Sequence, residues 1–189
     1  MAARLFHERG FVHTSISDIA AAIGILPGSL YHYIDSKDDL LFLVVERAHR
    51  DLIDRVERQP LDTMTAAEAL HLVARIHVEA IVENTTFAAV SNTDGRELSP
   101  TRRQQIMALR ARYQRQLIDL VARGQREGAW CARLDPVLAS FLLPGLGNSL
   151  VAWYRVDATR WSVDTITEQY ASMVARALSC DHEPPCTAG

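Results

Sequence analysis

The stretch "GSLYHYIDSKDDL", Gly28 to Leu40, gathers two phenols, an imidazole, two small hydroxyls and the only lysine of the chain. Such groups break no bonds by themselves. They donate and accept hydrogen bonds, and hydroxyls, helix-start N–H groups and one compact ammonium suit phosphate oxygens and base edges. A second set is the seven arginines Arg102, Arg103, Arg110, Arg112, Arg115, Arg123 and Arg126 on one predicted helix. Their planar forks can hold phosphates, or they can form a solvated face. Trp153, Tyr154 and Arg155 could offer a stacking surface and a cation to a nucleotide, or Trp153 could belong to the core. Phe87, Met107, Leu109, Tyr113 and Leu143 could line an apolar pocket or be ordinary packing.

Other chemistry is absent from the spacing. His71 and His77 are six apart, on different faces of a helix, and Glu79 adds no metal-binding register. "CDHEPPC", from Cys180 to Cys186, carries two prolines and reads as part of a disordered tail over 181–189, not a metal site. No glycine-rich phosphate loop and no "GxSxG" turn occurs, so the chain is not expected to be an enzyme, and neither a metal nor a resident cofactor is expected.

The chain has 189 residues, 48% of them hydrophobic, enough for a sizeable core. Its net charge of -3 argues against a general polyanion binder, so any nucleic-acid contact must be local. No run of 18 apolar residues and no signal-peptide core is read, which predicts a cytoplasmic protein with no membrane partner. In that compartment Cys131, Cys180 and Cys186 are expected as free thiols.

Apolar residues recur at helical spacing throughout, and no alternating pattern reads as a strand. The expected class is all-α with about nine helices: Ala2 to Glu8, Ser17 to Ile23, Gly28 to Ile34, Lys37 to Glu57, Thr65 to Val82, Thr85 to Val90, Thr101 to Gln125, Pro136 to Tyr154 and Val163 to Leu178. Ser99 and Pro100 suit an N-cap and first helical position. In "SISDIAAAIGILPGSLYHYI" the order helix, Gly24 turn, helix is a helix-turn-helix outline, with Ile19, Ile23, Leu30 and Ile34 packed inward. The expected division is a three-helix DNA-binding domain over 1–45 and a larger helical bundle over 46–180.

The motifs "AxxLFxExGFxxTS", "DIAxAxG" and "GSLYHYxxSKxxLL" together resemble the DNA-binding domain of the TetR family of bacterial transcriptional regulators, over some forty positions. The resemblance implies a ligand-released repressor that binds a palindromic operator in double-stranded DNA as a homodimer. Position by position it puts Gly28, Ser29, Tyr31, His32 and Tyr33 on the DNA, Thr14, Ser15 and Ser17 near the backbone, and Lys37 on a phosphate. Members of this family usually carry a basic arm before "AARLF", so an N-terminal extension is expected. Without it, three basic residues face five acidic ones in residues 1–45.

The later segments "RELSP", "GxxxG" and "WYR" are similar to those of members that answer acyl-coenzyme A thioesters, including regulators of fatty-acid and steroid catabolism. The effector set implied is Phe87, Arg103, Met107, Arg110, Tyr113, Trp153, Tyr154 and Arg155. The pairing set is Phe141, Leu142, Gly145, Leu146, Ser149, Ile166, Tyr170, Met173 and Val174, on two helices whose apolar stripes could equally be internal core. Two alternatives stay open at this point. One is a dimeric small-molecule-binding protein with impaired DNA binding; the other is a repressor answering lactones or aromatic drugs.

Overall fold

The computed structural model describes residues 1–154 and 160–180. Among these, every regular element is helical: α1 (Ala2–Arg9), α2 (Ile16–Ile23), α3 (Pro27–Leu30), α4 (Lys37–Glu57), α5 (Ala66–Glu83), α6 (Thr85–Thr93), α7 (Pro100–Arg126), α8 (Pro136–Asn148), α9 (Leu150–Trp153) and α10 (Val163–Leu178), with two short 3-10 turns at Leu61–Thr63 and Gly95–Glu97. The expected helix from Pro136 to Tyr154 is two segments that part at Ser149, and α8 itself runs on through Pro144 as far as Asn148. The third helix is also shorter than expected, since α3 stops at Leu30 and the chain continues to Tyr33 as a turn.

The chain forms two compact units, Met1–Asp51 with Asn84–Arg110, and Leu52–Glu83 with Ala111–Gly189. In the first, Leu5, Phe6, Ile19, Leu30, Ile34, Leu41 and Val45 close on Val90, Leu98 and Ile106. Ile23 departs from expectation and lies 44% exposed. Ile25, after the turn, packs against the cluster instead. Gly24 sits in the left-handed region at φ 75°, where a Cβ is costly, and its N–H closes α2 on the Ala20 carbonyl. At the other end of α2, Ser15 and Asp18 form a reciprocal capping box.

In the second unit α5 is buried on nearly all sides, from Ala66 through Leu70, Val73, His77 and Val78 to Val82, and so forms its axis. α10 lies along α5, and α8 and α9 also pack on it. Asp135 caps α8 by accepting from Val137 and Leu138 N–H, with Pro136 as first residue. Cys131 and Cys180 are joined as a disulfide with their Cα atoms 4.9 Å apart, against the expectation of free thiols. The Cys131 N–H also donates to the Leu178 carbonyl, so the packing that ends α10 brings the two cysteines together.

The span Pro136–Trp153 is long and apolar enough to cross a membrane by length and composition, with a mean hydropathy of 1.3, which corrects the expectation that no such run exists. Only 28% of the span is buried within the chain, because its apolar side chains crowd one uncovered face.

Candidate functional site

The N-terminal unit presents one continuous hydrogen-bonding surface around α3. Tyr31 and Tyr33 are 54% and 83% exposed, Gly28 and His32 are exposed, and Ser29 is half-buried. Leu30 and Ile34 are their anchors, both buried in the cluster beneath. At the start of α2, Ser15 and Ser17 are exposed, and the Ser15 hydroxyl donates to Asp18 at 2.5 Å. That bond, with the Ser15 N–H, holds the Asp18 carboxyl below the usual carboxylate range.

Two of the expected DNA-facing residues have other partners. Thr14 is 1% exposed and its hydroxyl donates to the Gly10 and Leu5 carbonyls, which withdraws it from the surface. Lys37 is half-buried; its Nζ donates to the Phe11 carbonyl at 2.8 Å and lies 4.3 Å from the centre of the Phe11 ring. The lysine therefore pins the α1–α2 connection as well as carrying charge to this surface.

A depression of about 340 Å³ lies beside α3, lined among others by Tyr31, His32, Tyr33, Asp39, Phe42 and Arg102. Asp39 accepts the Asp35 and Ser36 N–H groups, both at 2.7 Å, and so closes the start of α4. Asp38 accepts the Ser99 N–H and hydroxyl. Arg102 reaches both carboxylates and lies 4.9 Å from the centre of the Phe42 ring. Sequence reasoning placed Arg102 only within the arginine run; nothing local marks its partners, which lie far back along the chain at the start of another helix.

The implied effector residues divide between the two units. In the first, Arg110 donates Nε to His49 Nε2 at 3.2 Å and reaches the Ser91 carbonyl. Burial and the nearby Arg110 charge hold the His49 imidazole down to about 4. Arg103 donates to the Arg96 and Leu98 carbonyls, Phe87 lies under the Arg47 guanidinium, and Met107 is 56% exposed. In the second, the Tyr113 hydroxyl is 3.2 Å from His77 Nδ1, and the His77 ring stacks between Tyr113 and Tyr170 at 5.9 and 6.2 Å. Tyr170 donates to the Leu143 carbonyl, and burial pushes both phenols up. Trp153 is exposed and meets Tyr154 and Trp161 edge to face, while Tyr154 is buried. Arg155 lies outside the described residues.

From the sequence His77 is read only for metal binding, which its spacing from His71 does not suit. The signal it carried was a histidine on the apolar stripe of α5, in register with Val73, Ala74 and Ile81. His77 is thus a buried polar group of the C-terminal unit, in contact with Tyr113 through its Nδ1 and set beside Pro144 and Asn148 of α8.

Of the residues expected to pair two subunits, those on α8 lie outside: Phe141 and Leu142 at 62% exposure and Leu146 at 44%, with Gly145 and Ser149 exposed beside them. On α10, Ile166, Tyr170 and Val174 are buried in the chain's own core, leaving only Met173 outward.

Residues 63–178 match the family described as "Tetracyclin repressor-like, C-terminal domain". Residues 1–44 match "Bacterial regulatory proteins, tetR family". The HTH-type transcriptional repressor KstR2 of Rhodococcus jostii (strain RHA1) is 28% identical over 96% of this chain and 89% of its own. The TetR family transcriptional regulator PfmR from Thermus thermophilus is 27% identical with a TM-score of 0.85, covering 96% of this chain and 97% of that one. AibR, solved with isovaleryl coenzyme A and operator DNA, shares the fold at a TM-score of 0.79 and 22% identity over 91% and 92% of the two chains. With both parts of its length matched in order, this chain belongs to the TetR family of transcriptional regulators.

Proposed function

We propose that the protein is a cytoplasmic, homodimeric repressor that is released from a palindromic operator by an acyl-coenzyme A-type metabolite. The observation that carries the DNA half is the exposed set Gly28, Ser29, Tyr31, His32 and Tyr33, held on buried Leu30 and Ile34 behind a capped α2. Hydroxyls and an imidazole on a rigid helix-turn-helix read base edges, while Lys37, Ser15 and Ser17 meet phosphates. The weak charge of residues 1–45, which motivated the reading of impaired DNA binding, is offset within the compact unit. Its nine basic residues equal its nine acidic ones once Asn84–Arg110 is included.

The effector reading draws support from AibR and from the buried His77–Tyr113 pair in the C-terminal unit. An effector there would act through α4 or α7, since each helix contributes residues to both units. Coupling of about 1–3 kcal/mol changes operator affinity roughly 5- to 150-fold. The test is fluorescence anisotropy on the DNA upstream of the protein's own gene, with isovaleryl coenzyme A, a long-chain acyl thioester, the free acids, a lactone and an aromatic drug added in turn. Salt-dependent, sequence-preferring binding reversed by a thioester is the expected result. Release by the free acid, lactone or drug alone would replace the effector class, and no sequence preference would overturn the repressor reading.

A further inference from the structure

We infer that Arg102, which lies outside the helix-turn-helix, is a positioning residue for operator binding: it offsets part of the negative charge of the two carboxylates at the start of α4 that flank the recognition surface. The argument begins with charge. Between residues 35 and 39 the chain places Asp35, Asp38 and Asp39 against the single Lys37. All three acids lie in or just before the first turn of α4, immediately after the exposed Tyr31, His32 and Tyr33, and Asp35 and Asp39 line the same depression as those residues. A DNA backbone laid on this surface would meet a negative patch, and like charges disfavour approach at the distances where phosphates bind.

Arg102 answers that patch from α7. Its Nε stands 3.0 Å from Asp38 Oδ2 and its Nη2 bonds Asp39 Oδ1, so one guanidinium covers a carboxylate on each arm. The Phe42 ring supports it, and its side chain is 29% exposed, open to the same depression. Asp38 is held in reach by the Ser99 N–H and hydroxyl, and Asp39 by the Asp35 and Ser36 N–H groups. Both acids thus have structural duties at helix starts that fix them beside the reading surface. The arginine halves the negative charge of that pair, and no other cation pairs with Asp38 or Asp39 among the described ion pairs.

This inference rests on the chain binding DNA, and the test separates the two. The unsubstituted chain, Arg102→Gln and Asp38→Asn are titrated by anisotropy on the upstream duplex and on a duplex of arbitrary sequence, across a salt series, with circular dichroism melting of each. Arg102→Gln is expected to weaken both duplexes roughly tenfold at low salt, the loss fading once the screening length falls below about 10 Å near 0.1 M. Asp38→Asn keeps an acceptor for Ser99 and removes a negative charge, so it is expected to tighten both duplexes, and the double variant to return toward the unsubstituted affinity. If Arg102 serves only to tie α4 to α7, both single variants weaken binding and the double variant is worse, which overturns the inference. Unchanged binding by a folded Arg102→Gln overturns it also. No binding by the unsubstituted chain overturns the repressor reading, and this inference with it.

Discussion

His77 stacks between Tyr113 and Tyr170, and burial holds its imidazole down to about 4, against about 6.5 in an unfolded chain. Between those values the unfolded state binds more protons, so stability is fully present above about pH 6.5 and is lost as pH falls toward 4. His49, lowered to about 4 by burial and then by Arg110, acts in the same direction. Each histidine should cost about 2 kcal/mol between pH 7 and pH 5. Urea unfolding at the two pH values should show that loss in the unsubstituted protein and about half of it in His77→Phe; an equal loss in both would mean that His77 is not held neutral. Lys37, proposed to meet a phosphate, also holds the Phe11 carbonyl with its ammonium. Lys37→Ala should weaken binding to every DNA sequence alike and reduce the salt slope by about 1. Tyr31→Phe and Ser29→Ala should instead change which sequence is preferred, and equal losses on all duplexes would refute that division of labour.

At the scale of elements, α8 meets α5 where Gly147 lies against His77. A Cβ on Gly147 would come within 2.5 Å of His77 Cδ2 and 2.8 Å of its Nε2, so the stacked ring would have to move. Gly147→Ala should therefore lower stability by about 1–3 kcal/mol in thermal or urea unfolding, and a neutral result would show that the ring has room to yield. The elements with strong local signals were legible in the sequence: α4 runs from Lys37 to Glu57 as its apolar stripe and the following Pro60 imply. What depends on tertiary packing was not. The stop of α3 at Leu30, the exposure of Ile23 and the break at Ser149 are set by what lies opposite each turn, and periodicity does not report it. The same limit hid Arg102 with Asp38, and Tyr113 with His77 across 36 residues. The Cys131–Cys180 pairing went unread because the compartment argument concerns how often disulfides form, and the approach of α10 to the residues before α8 decides this one. Of the pairing stripes, both were seen as apolar, and only the structure separates the outward one on α8 from the inward one on α10.

For the whole molecule, that outward stripe is the feature that a single chain leaves unexplained. Leu138, Phe141, Leu142 and Leu146 stand at 44–62% exposure on consecutive turns of α8, with Gly145 among them and open space where its Cβ would be. Contiguous apolar surface of this kind marks an interaction face, and a small residue within it lets another helix approach closely. Full burial of a Leu or Phe contributes about 1.5–3 kcal/mol, so four from each of two copies, about half exposed beforehand, supply roughly 6–12 kcal/mol, the same order as the roughly 4–15 kcal/mol lost in association. In the proposed homodimer a second copy would cover this face through a two-fold axis, the symmetry that a palindromic operator with half-sites about 34–36 Å apart requires of its reader. Phe141→Glu with Leu142→Glu should therefore give a folded monomer by sedimentation, with the helical circular dichroism kept, because both side chains are on the outside of the subunit. On a duplex carrying two half-sites its affinity should fall at least a hundredfold, while binding to a single half-site changes little, since only the bivalent gain is removed. A double variant that remains dimeric would place the interface elsewhere on the subunit, and one that is monomeric yet binds the full site unchanged would remove the need for a dimer in recognition.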